Sequence, residues 1–254
     1  MGAARVKSRN ARLAYALAFA LAVAGVAQWW LQREQHTYLT GVTADFVALF
    51  AAPPAPDSAA TRGELGELLE LQRTRTAAEV AAARADRKTD VQRFYGALGF
   101  PQGANPHLPL LLALAARVED DFRPYVRAAK DRFRRLRPYE IEPRLEPCID
   151  DVRGDLSYPS GHATYGYVMA YLLRDMVPER EVRLLARADE FARQRMVCGV
   201  HFRSDLEAGR TGARWLAFAF ESDARYRNDA NAAMAELRAA LRLPRGRPAA
   251  SAIS

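Results

Sequence analysis

The sequence predicts an all-α protein, and three observations support that fold class. Apolar residues recur at helical spacing along most of the chain after residue 57. Residues that favour helix starts stand at the beginning of several of these patterns. No run of alternating β-branched residues indicates a strand, and no internal repeat is visible. The length of 254 residues, with 50% of them hydrophobic, suits one domain with a sizeable core.

Residues 1–27 have the composition of a secretory signal peptide. A stretch with four basic residues and no acidic one precedes an uncharged run over residues 13–27, which ends in small-x-small patterns. The alternative is an uncleaved anchor, since Trp29, Trp30 and Leu31 lengthen the apolar run and tryptophan favours a membrane interface. Either reading predicts an exported protein, periplasmic or secreted, that meets a membrane only if the leader remains.

The charge and hydropathy of the remaining chain exclude two classes of partner. The formal charge is +7, but the leader supplies four of these charges and leaves an excess of +3. So small an excess does not indicate a nucleic-acid partner. No later segment offers the roughly 18 uncharged apolar residues that a membrane span requires.

Residues 28–56 form an N-terminal segment that ends in a proline-rich connector over residues 46–56. Its Ala-Ala-Pro-Pro-Ala-Pro stretch suits neither a helix nor a central strand, so we expect an extended link into a folded domain over residues 57–240. Thr61 with Glu64, and Thr76 with Glu79, then fit the capping boxes of two helices. The helical apolar positions that follow are Leu65, Leu68, Leu69, Val80, Val91, Phe94 and Leu98. Residues 101–109 interrupt the pattern with a loop, in which His107 is interpreted as structural.

A basic helix carries the first two candidate site residues, Lys130 and Arg137. After an apolar helix over residues 110–118, we expect a helix that Pro138 ends. Its apolar face comprises Phe122, Val126, Ala129, Phe133 and Leu136. A spacing of seven places Lys130 and Arg137 almost above one another beside this face, and the other arginines, Arg132, Arg134 and Arg135, are expected in solvent. The alternative is a basic face that is solvated throughout.

The turn Pro159-Ser160-Gly161-His162 is the second candidate segment. Ser160 is a good N-cap for a helix over residues 163–176, and Gly161 lets backbone N–H groups approach a ligand closely. The free N–H groups and positive dipole end of such a helix favour an anion such as phosphate. Small residues at 163, 166 and 170 indicate a close helix contact behind the turn. The alternative is an ordinary turn with a surface or capping histidine.

The third candidate segment contains Arg195, His201 and Asp205. Arg195 continues the apolar stripe of a helix that begins near residue 178, so its guanidinium requires an anionic partner, either a carboxylate or a ligand. The stripe comprises Leu184, Ala188 and Phe191. His201 and Asp205 are four residues apart at the start of the next helix, where the carboxylate can hold one ring nitrogen. The alternative is a helix-capping His-Asp pair.

The three segments together, Lys130-x6-Arg137-Pro138, Pro159-Ser160-Gly161-His162 and Arg195-x5-His201-x3-Asp205, resemble the signature of the PAP2 phosphatase superfamily. Their surroundings, from about residue 38 to 220, are similar to those of the secreted class A bacterial acid phosphatases. One departure is Gln194, where a serine is usual. The resemblance implies a single-domain helical bundle of the PAP2 phosphatase and haloperoxidase type, with the site between helices of the bundle. It also implies homo-oligomers.

The resemblance implies hydrolysis of phosphate monoesters at acidic pH, without metal or other cofactor, and inhibition by inorganic phosphate or vanadate. His201 would attack phosphorus and form a phosphohistidine, Asp205 would hold its ring, and His162 would protonate the leaving group. The implied phosphate ligands are Lys130, Arg137, Ser160, Gly161 and Arg195. Two alternatives are a vanadium-dependent haloperoxidase with the same anion site and a catalytically silent helical protein. A membrane lipid phosphatase is disfavoured by the lack of spanning helices.

Two further expectations concern the cysteines and the C-terminus. Cys148 and Cys198 are the only cysteines, and export predicts that they form a disulfide, with two buried free thiols as the alternative. Residues 241–254 contain Pro244, Gly246 and Pro248 and are expected to form a disordered tail.

Overall fold

The computed structural model describes residues 37–41, 43–149 and 154–246. The predicted leader, residues 28–36 and residues 247–254 lie outside the described residues. From Tyr38 onward the described residues belong to one compact unit, and their regular structure is helical throughout, which confirms the predicted all-α class. No helix in these parts of the chain combines the length and the apolar character needed to cross a membrane.

Ten α-helices are described within these ranges. They are α1 Thr43–Ala48, α2 Ala59–Thr74, α3 Ala77–Ala85, α4 Tyr95–Leu98, α5 Pro109–Phe133, α6 Pro138–Ile141, α7 Gly161–Met176, α8 Glu181–Val197, α9 Arg203–Ser222 and α10 Ala224–Ala240. Short 3₁₀ turns, Val91–Phe94 and Pro178–Arg180, lead into α4 and α8.

Helix α7 is the centre of the fold. It packs closely against both α8 and α9, and most of its side chains are buried. Burial around the whole circumference is typical of a helix that other helices enclose. Gly166 permits the contact with α8, because a Cβ there would lie 2.9 Å from the Phe191 ring. The helix begins two residues before the predicted start, and Ser160 caps it as expected by accepting from Ala163 N.

Helix α5 begins earlier and ends earlier than the basic helix that the sequence predicts. The two helices expected over residues 110–118 and up to Pro138 are one continuous helix, with Pro124 in its interior. It ends at Phe133, because Arg134 adopts a left-handed conformation with φ 49°. Pro138 restricts only the residue before it, so the chain leaves the helix earlier than proline alone requires.

This early end overturns the prediction that Lys130 and Arg137 stack on one helix. Lys130 lies on the last turn of α5, but Arg137 has extended backbone just before α6. Burial alternates over residues 134–137: Arg135 and Arg137 are buried, whereas Leu136 is 48% exposed. The expectations of a buried Leu136 and a solvated Arg135 were therefore wrong.

The N-terminal boundary of the domain also differs from the prediction. Tyr38 and Phe46 are buried in the main core, so the domain includes residues that were assigned to a separate segment and connector. Tyr38 donates to Asp229 Oδ2 at 2.6 Å, and Tyr158 donates to Ala51 O at 3.0 Å. The proline-rich stretch is thus fixed against the domain by hydrogen bonds and aromatic packing.

Residues 241–246, expected to begin a disordered tail, pack on the domain instead. Leu241 and Leu243 lie against the core, and Leu243 N donates to Arg238 O at 2.9 Å. Arg238 Nε donates to Pro244 O at 2.6 Å. The helix ends at Ala240, before the proline and glycine, and Arg242 adopts a left-handed conformation with φ 56° as the chain turns back onto the domain.

Only one of the two predicted capping boxes is present. Thr76 and Glu79 exchange hydrogen bonds at the start of α3, at 3.2 Å and 2.9 Å. At α2 the cap is Ser58, whose Oγ accepts from Thr61 N at 3.1 Å. Glu64, which was expected to complete a box, points towards the arginine at position 135 instead.

Candidate active site

The three predicted segments meet at the N-terminal end of α7. Ser160 N donates to Asp205 O at 3.0 Å, which joins the turn before α7 to the first turn of α9. Ser160 Oγ accepts from Ala163 N at 3.2 Å, so its own O–H remains to donate to an oxyanion. A cavity of about 370 Å³ opens beside the turn, and Lys130, Gly161 and His162 line it.

His201 is held in one tautomer by groups on both sides of its ring. The side chain is 3% exposed, with Nδ1 3.0 Å from Asp205 Oδ2 and Nε2 2.8 Å from Arg137 Nη1. Because a guanidinium only donates, Nε2 carries the lone pair and Nδ1 the proton. Burial lowers the pKa of His201 well below 6.5, and Arg137 and Lys130 add to this effect. This shift and the hydrogen bond from Arg137 both favour the neutral ring, which a nucleophile must be.

Asp205 is completely buried and receives several hydrogen bonds besides that of His201. The donors are Arg135 Nη1 at 2.7 Å, Ser157 Oγ at 2.5 Å and Phe202 N at 2.9 Å. Burial raises the pKa of the Asp205 carboxyl, while the Arg135 guanidinium and these donors act in the opposite direction. So many donors fix the orientation of the carboxylate, and hence that of the His201 ring.

Arg135 and Ser157 are two site residues that the sequence analysis did not identify. The Arg135 guanidinium lies 3.8 Å from the centre of the Phe202 ring and donates to Glu64 at 2.8 Å as well as to Asp205. A signal was present: Arg135 and Arg137 are two apart, and side chains two apart share a side once the chain leaves the helix.

Lys130 and Arg137 converge on one carboxylate, that of Asp155. Lys130 Nζ lies 2.5 Å and Arg137 Nη2 2.8 Å from Asp155 Oδ2. Burial lowers the pKa of Lys130, and Arg137 lowers it further, while Asp155 opposes both. Burial would raise the pKa of Asp155, but the two cations hold it below its ordinary value. No three His, Cys, Asp or Glu side chains in the described ranges are grouped as metal ligands.

His162 stacks on Phe191, with ring centres 4.1 Å apart and planes at 9°. One ring nitrogen hydrogen-bonds to the backbone of Asp86, and Nε2 has no hydrogen-bond partner among the described residues. Burial lowers the pKa of His162 well below 6.5, and Arg195 and His201 contribute further, although part of the side chain remains exposed. Nε2 itself is buried and, within the described ranges, unpartnered, so it is the ring nitrogen whose hydrogen-bonding capacity remains for a ligand.

The C-terminal end of α3 positions both His162 and Arg195. Arg195 is 3% exposed and donates from Nη2 to Ala83 O at 2.9 Å, while the Asp86 backbone hydrogen-bonds to His162. The Asp86 carboxylate is held in turn by Arg93 Nε at 2.7 Å and Arg187 Nη2 at 2.6 Å. Backbone groups of a helix outside the three motifs therefore contact two of the predicted site residues.

Cys148 and Cys198 form a disulfide in the structure, with Cα atoms 4.7 Å apart. Cys148 N also donates to Cys198 O at 3.1 Å. The bridge joins the loop before the Ser160 turn to the end of α8, three residues before His201. It thereby links the two chain segments that carry the histidines.

Comparison with known proteins places this geometry in a family. Residues 107–228 match the PAP2 superfamily. The acid phosphatase of Zymomonas mobilis is 35% identical over 136 residues, which are 52% of this chain and half the length of that protein. The non-specific acid phosphatase of Providencia stuartii is 30% identical over 65% of this chain and 70% of its own.

Two further matches are more limited. The non-specific acid phosphatase of Salmonella typhimurium is 38% identical over 33% of this chain and 34% of its own. Among solved structures, the transmembrane PAP2 type phosphatidylglycerolphosphate phosphatase from Bacillus subtilis aligns with 70% of this chain, at 17% identity and a TM-score of 0.48. The Providencia relative, of which the chain covers more than two thirds, and the superfamily match both agree with the resemblance seen in the sequence. The chain therefore belongs to the PAP2 superfamily, within the family of the non-specific acid phosphatases.

Proposed function

We propose that this protein is an acid phosphatase, which hydrolyses phosphate monoesters through a phosphohistidine at His201. The observation that carries the proposal is the buried imidazole with its Nε2 lone pair directed at Arg137 and its Nδ1–H on Asp205. A nucleophile in the correct tautomer, surrounded by cations, is what attack on a phosphate ester requires. The names of the Zymomonas and Providencia relatives support the same activity.

Binding of the phosphate group is the first step. The buried cations Lys130, Arg137 and Arg195 neutralise the phosphoryl oxygens. Ser160 donates its O–H, and Gly161 donates its N–H at the positive end of α7. Because protein cations supply this charge, we propose that hydrolysis needs no metal ion.

Two proton transfers accompany the two chemical steps. As His201 Nε2 bonds to phosphorus, the bond to the leaving oxygen breaks, and His162 gives that oxygen a proton. Asp205 stabilises the positive charge that the His201 ring acquires. His162 then takes a proton from water as the water attacks the phosphohistidine, which releases inorganic phosphate and restores both rings.

We also propose that the enzyme acts outside the cytoplasm. The signal-like composition of residues 1–27 and the Cys148–Cys198 bridge support this, because disulfides persist in oxidising compartments.

The decisive experiment compares wild type with His201→Ala and His162→Ala. Phosphate release should be unaffected by chelator, and acid-quenched wild-type enzyme should carry labelled phosphate from substrate. His201→Ala should lose both turnover and labelling, whereas His162→Ala should still be labelled by an aryl phosphate. A labelled His201→Ala variant would refute the assignment of the nucleophile. Halide oxidation with vanadate and peroxide, in the absence of phosphate release, would favour a haloperoxidase instead.

A further inference from the structure

The Asp155 carboxylate lies where the two phosphate-binding cations converge. Its Oδ2 accepts from Lys130 Nζ at 2.5 Å and from Arg137 Nη2 at 2.8 Å. The side chain of Asp155 is 41% exposed, whereas those of Lys130 and Arg137 are 8% and 3% exposed. A carboxylate on the cavity wall therefore covers two buried cations, from the side on which a ligand would arrive.

The hydrogen-bond donors of these cations are largely occupied by protein acceptors. Lys130 Nζ also donates to Leu156 O at 2.6 Å, which leaves one of its N–H groups without an acceptor among the described residues. Arg137 donates from Nε to Asp155 O and from Nη1 to Val200 O and His201. In the part of the chain that the structure describes, one N–H of Lys130 and one of Arg137 Nη2 thus remain for a phosphate, and any further hydrogen bond from these two groups requires the donors that now serve Asp155 Oδ2.

We propose that Asp155 is an internal anion that competes with phosphate for Lys130 and Arg137 and thereby sets the affinity of the site. This inference rests on the proposed function, since it concerns the same phosphate subsite. The carboxylate keeps the two buried cations neutralised and oriented between turnovers. Its negative charge lowers the affinity of the site for the phosphate groups of both substrate and product. Release of inorganic phosphate is favoured, because Asp155 returns to the same donors.

The direction in which phosphate affinity changes when Asp155 is replaced distinguishes competition from a purely structural role. If Asp155 only held the two cations in place, its loss would disorder them and weaken phosphate binding. If it competes with phosphate, its loss removes a negative charge adjacent to the bound anion and strengthens binding. Asp155→Asn preserves the shape and an acceptor oxygen, so it removes the charge with little loss of positioning.

Glu119 offers a matched control. It lines the same cavity, and its side chain is 15% exposed. Its carboxylate is bonded to Thr89 Oγ1 and Arg123 rather than to Lys130 or Arg137. Glu119→Gln thus removes one negative charge from the cavity wall without freeing a phosphate-binding donor.

The test is titration calorimetry with inorganic phosphate on wild type, Asp155→Asn, Asp155→Ala and Glu119→Gln, at a fixed pH and salt concentration. We expect Asp155→Asn to bind phosphate about ten-fold more tightly than wild type, and Glu119→Gln to change the affinity by less than about three-fold. Asp155→Ala should also bind more tightly. Unchanged or weaker binding by both Asp155 variants would overturn the proposal.

Thermal unfolding supplies a second readout. Without phosphate, the Asp155→Asn variant should melt at a lower temperature than wild type, because two buried cations lose their counter-charge. Saturating phosphate should raise its melting temperature by more than it raises that of wild type. Neither readout requires turnover. Tighter phosphate binding in a protein without phosphatase activity would therefore refute the proposed function alone, and active wild type with unchanged Asp155 variants would refute this inference alone.

Discussion

Helix α9 crosses directly behind the phosphate turn at Gly209, and adding one methyl group there should disturb the site. A Cβ on Gly209 would lie 2.8 Å from Ser160 O and 3.0 Å from Ala163 Cβ, whereas ordinary contacts begin at 3.4 Å. The nearest of these atoms belongs to the backbone, which cannot rotate away as a flexible side chain can. Gly209→Ala therefore requires α9 and the start of α7 to separate by about 0.6 Å, which is the difference between the 2.8 Å contact with Ser160 O and an ordinary contact of 3.4 Å.

The separation should impair catalysis while the protein remains folded. Ser160 N donates to Asp205 O across this contact, so the phosphate turn and the His201–Asp205 pair move relative to one another. Since a misplacement of about 1 Å can cost about 10²-fold in rate, we expect kcat/KM to fall about ten-fold. Overpacking costs about 1–3 kcal/mol, and replacing a helical glycine by alanine stabilises a helix by about 1 kcal/mol. The free energy of unfolding should therefore fall by at most about 2 kcal/mol.

Gly66→Ala is the matched control, since a Cβ at this position in α2 meets nothing within 4 Å. It should raise the free energy of unfolding by up to about 1 kcal/mol and leave kcat/KM unchanged. The measurements are kcat/KM with nitrophenyl phosphate, the inhibition constant of inorganic phosphate, and urea unfolding. Wild-type kcat/KM and phosphate inhibition in Gly209→Ala would refute the idea that this contact holds the phosphate turn in place.

Four further predictions follow from the same geometry. Replacing Cys148 and Cys198 by serine opens a loop with a sequence separation of 50 and should lower the free energy of unfolding in urea by about 4 kcal/mol; a loss under about 1 kcal/mol would contradict the chain-entropy account. His162→Ala should reduce kcat/KM about 10²-fold more for alkyl than for nitrophenyl phosphates, and equal losses would remove its role as an acid. The pKa values of His162 and His201 are lowered well below 6.5 in the folded protein, so below about pH 6.5 the unfolded chain binds more protons than the folded one. Stability should therefore decrease by up to about 2.7 kcal/mol per pH unit until the folded-state pKa values are reached, and a flat urea profile from pH 7 to 5 would disprove this. Arg135→Met should lower kcat about 10²-fold with little change in KM, with partial recovery in Arg135→Lys, because the carboxylate behind the nucleophile loses its charged partner; equal changes in kcat and KM would argue against this positioning role.

The fold class could be predicted from local patterns, whereas the site residues were predicted from three short motifs together with their resemblance to a family signature. Helical periodicity reports which face of a segment is buried, and the turn at Ser160 has a local cap that the structure contains. Periodicity failed at the end of α5, because Leu136 continues the apolar spacing although Arg134 has already turned the chain. An apolar pattern does not encode the backbone conformation that ends a helix, so Arg135 was assigned to solvent.

The contacts made by the C-terminal end of α3 and by Asp155 could not be predicted from local sequence patterns. His162 and Arg195 are bonded to backbone groups of Asp86 and Ala83, and a backbone group has no residue-specific signal. Asp155 lies between the first and second motifs in a stretch without periodicity, so only the fold brings it to Lys130. The structure therefore adds partners to the site chiefly through long-range contacts.

These partners bear on how His162 obtains the proton that the proposed reaction requires. Burial and the nearby Arg195 lower its pKa, which favours the neutral ring, whereas a general acid must be protonated when the leaving group departs. The Asp86 backbone acts in the opposite direction, as expected for carbonyl groups at the negative end of the α3 dipole. A phosphate group beside His162 adds negative charge and neutralises Arg195, and both effects raise the pKa of the ring. In the proposed reaction, substrate binding thus produces the acid: His162 becomes protonated when the anion that needs its proton is in place.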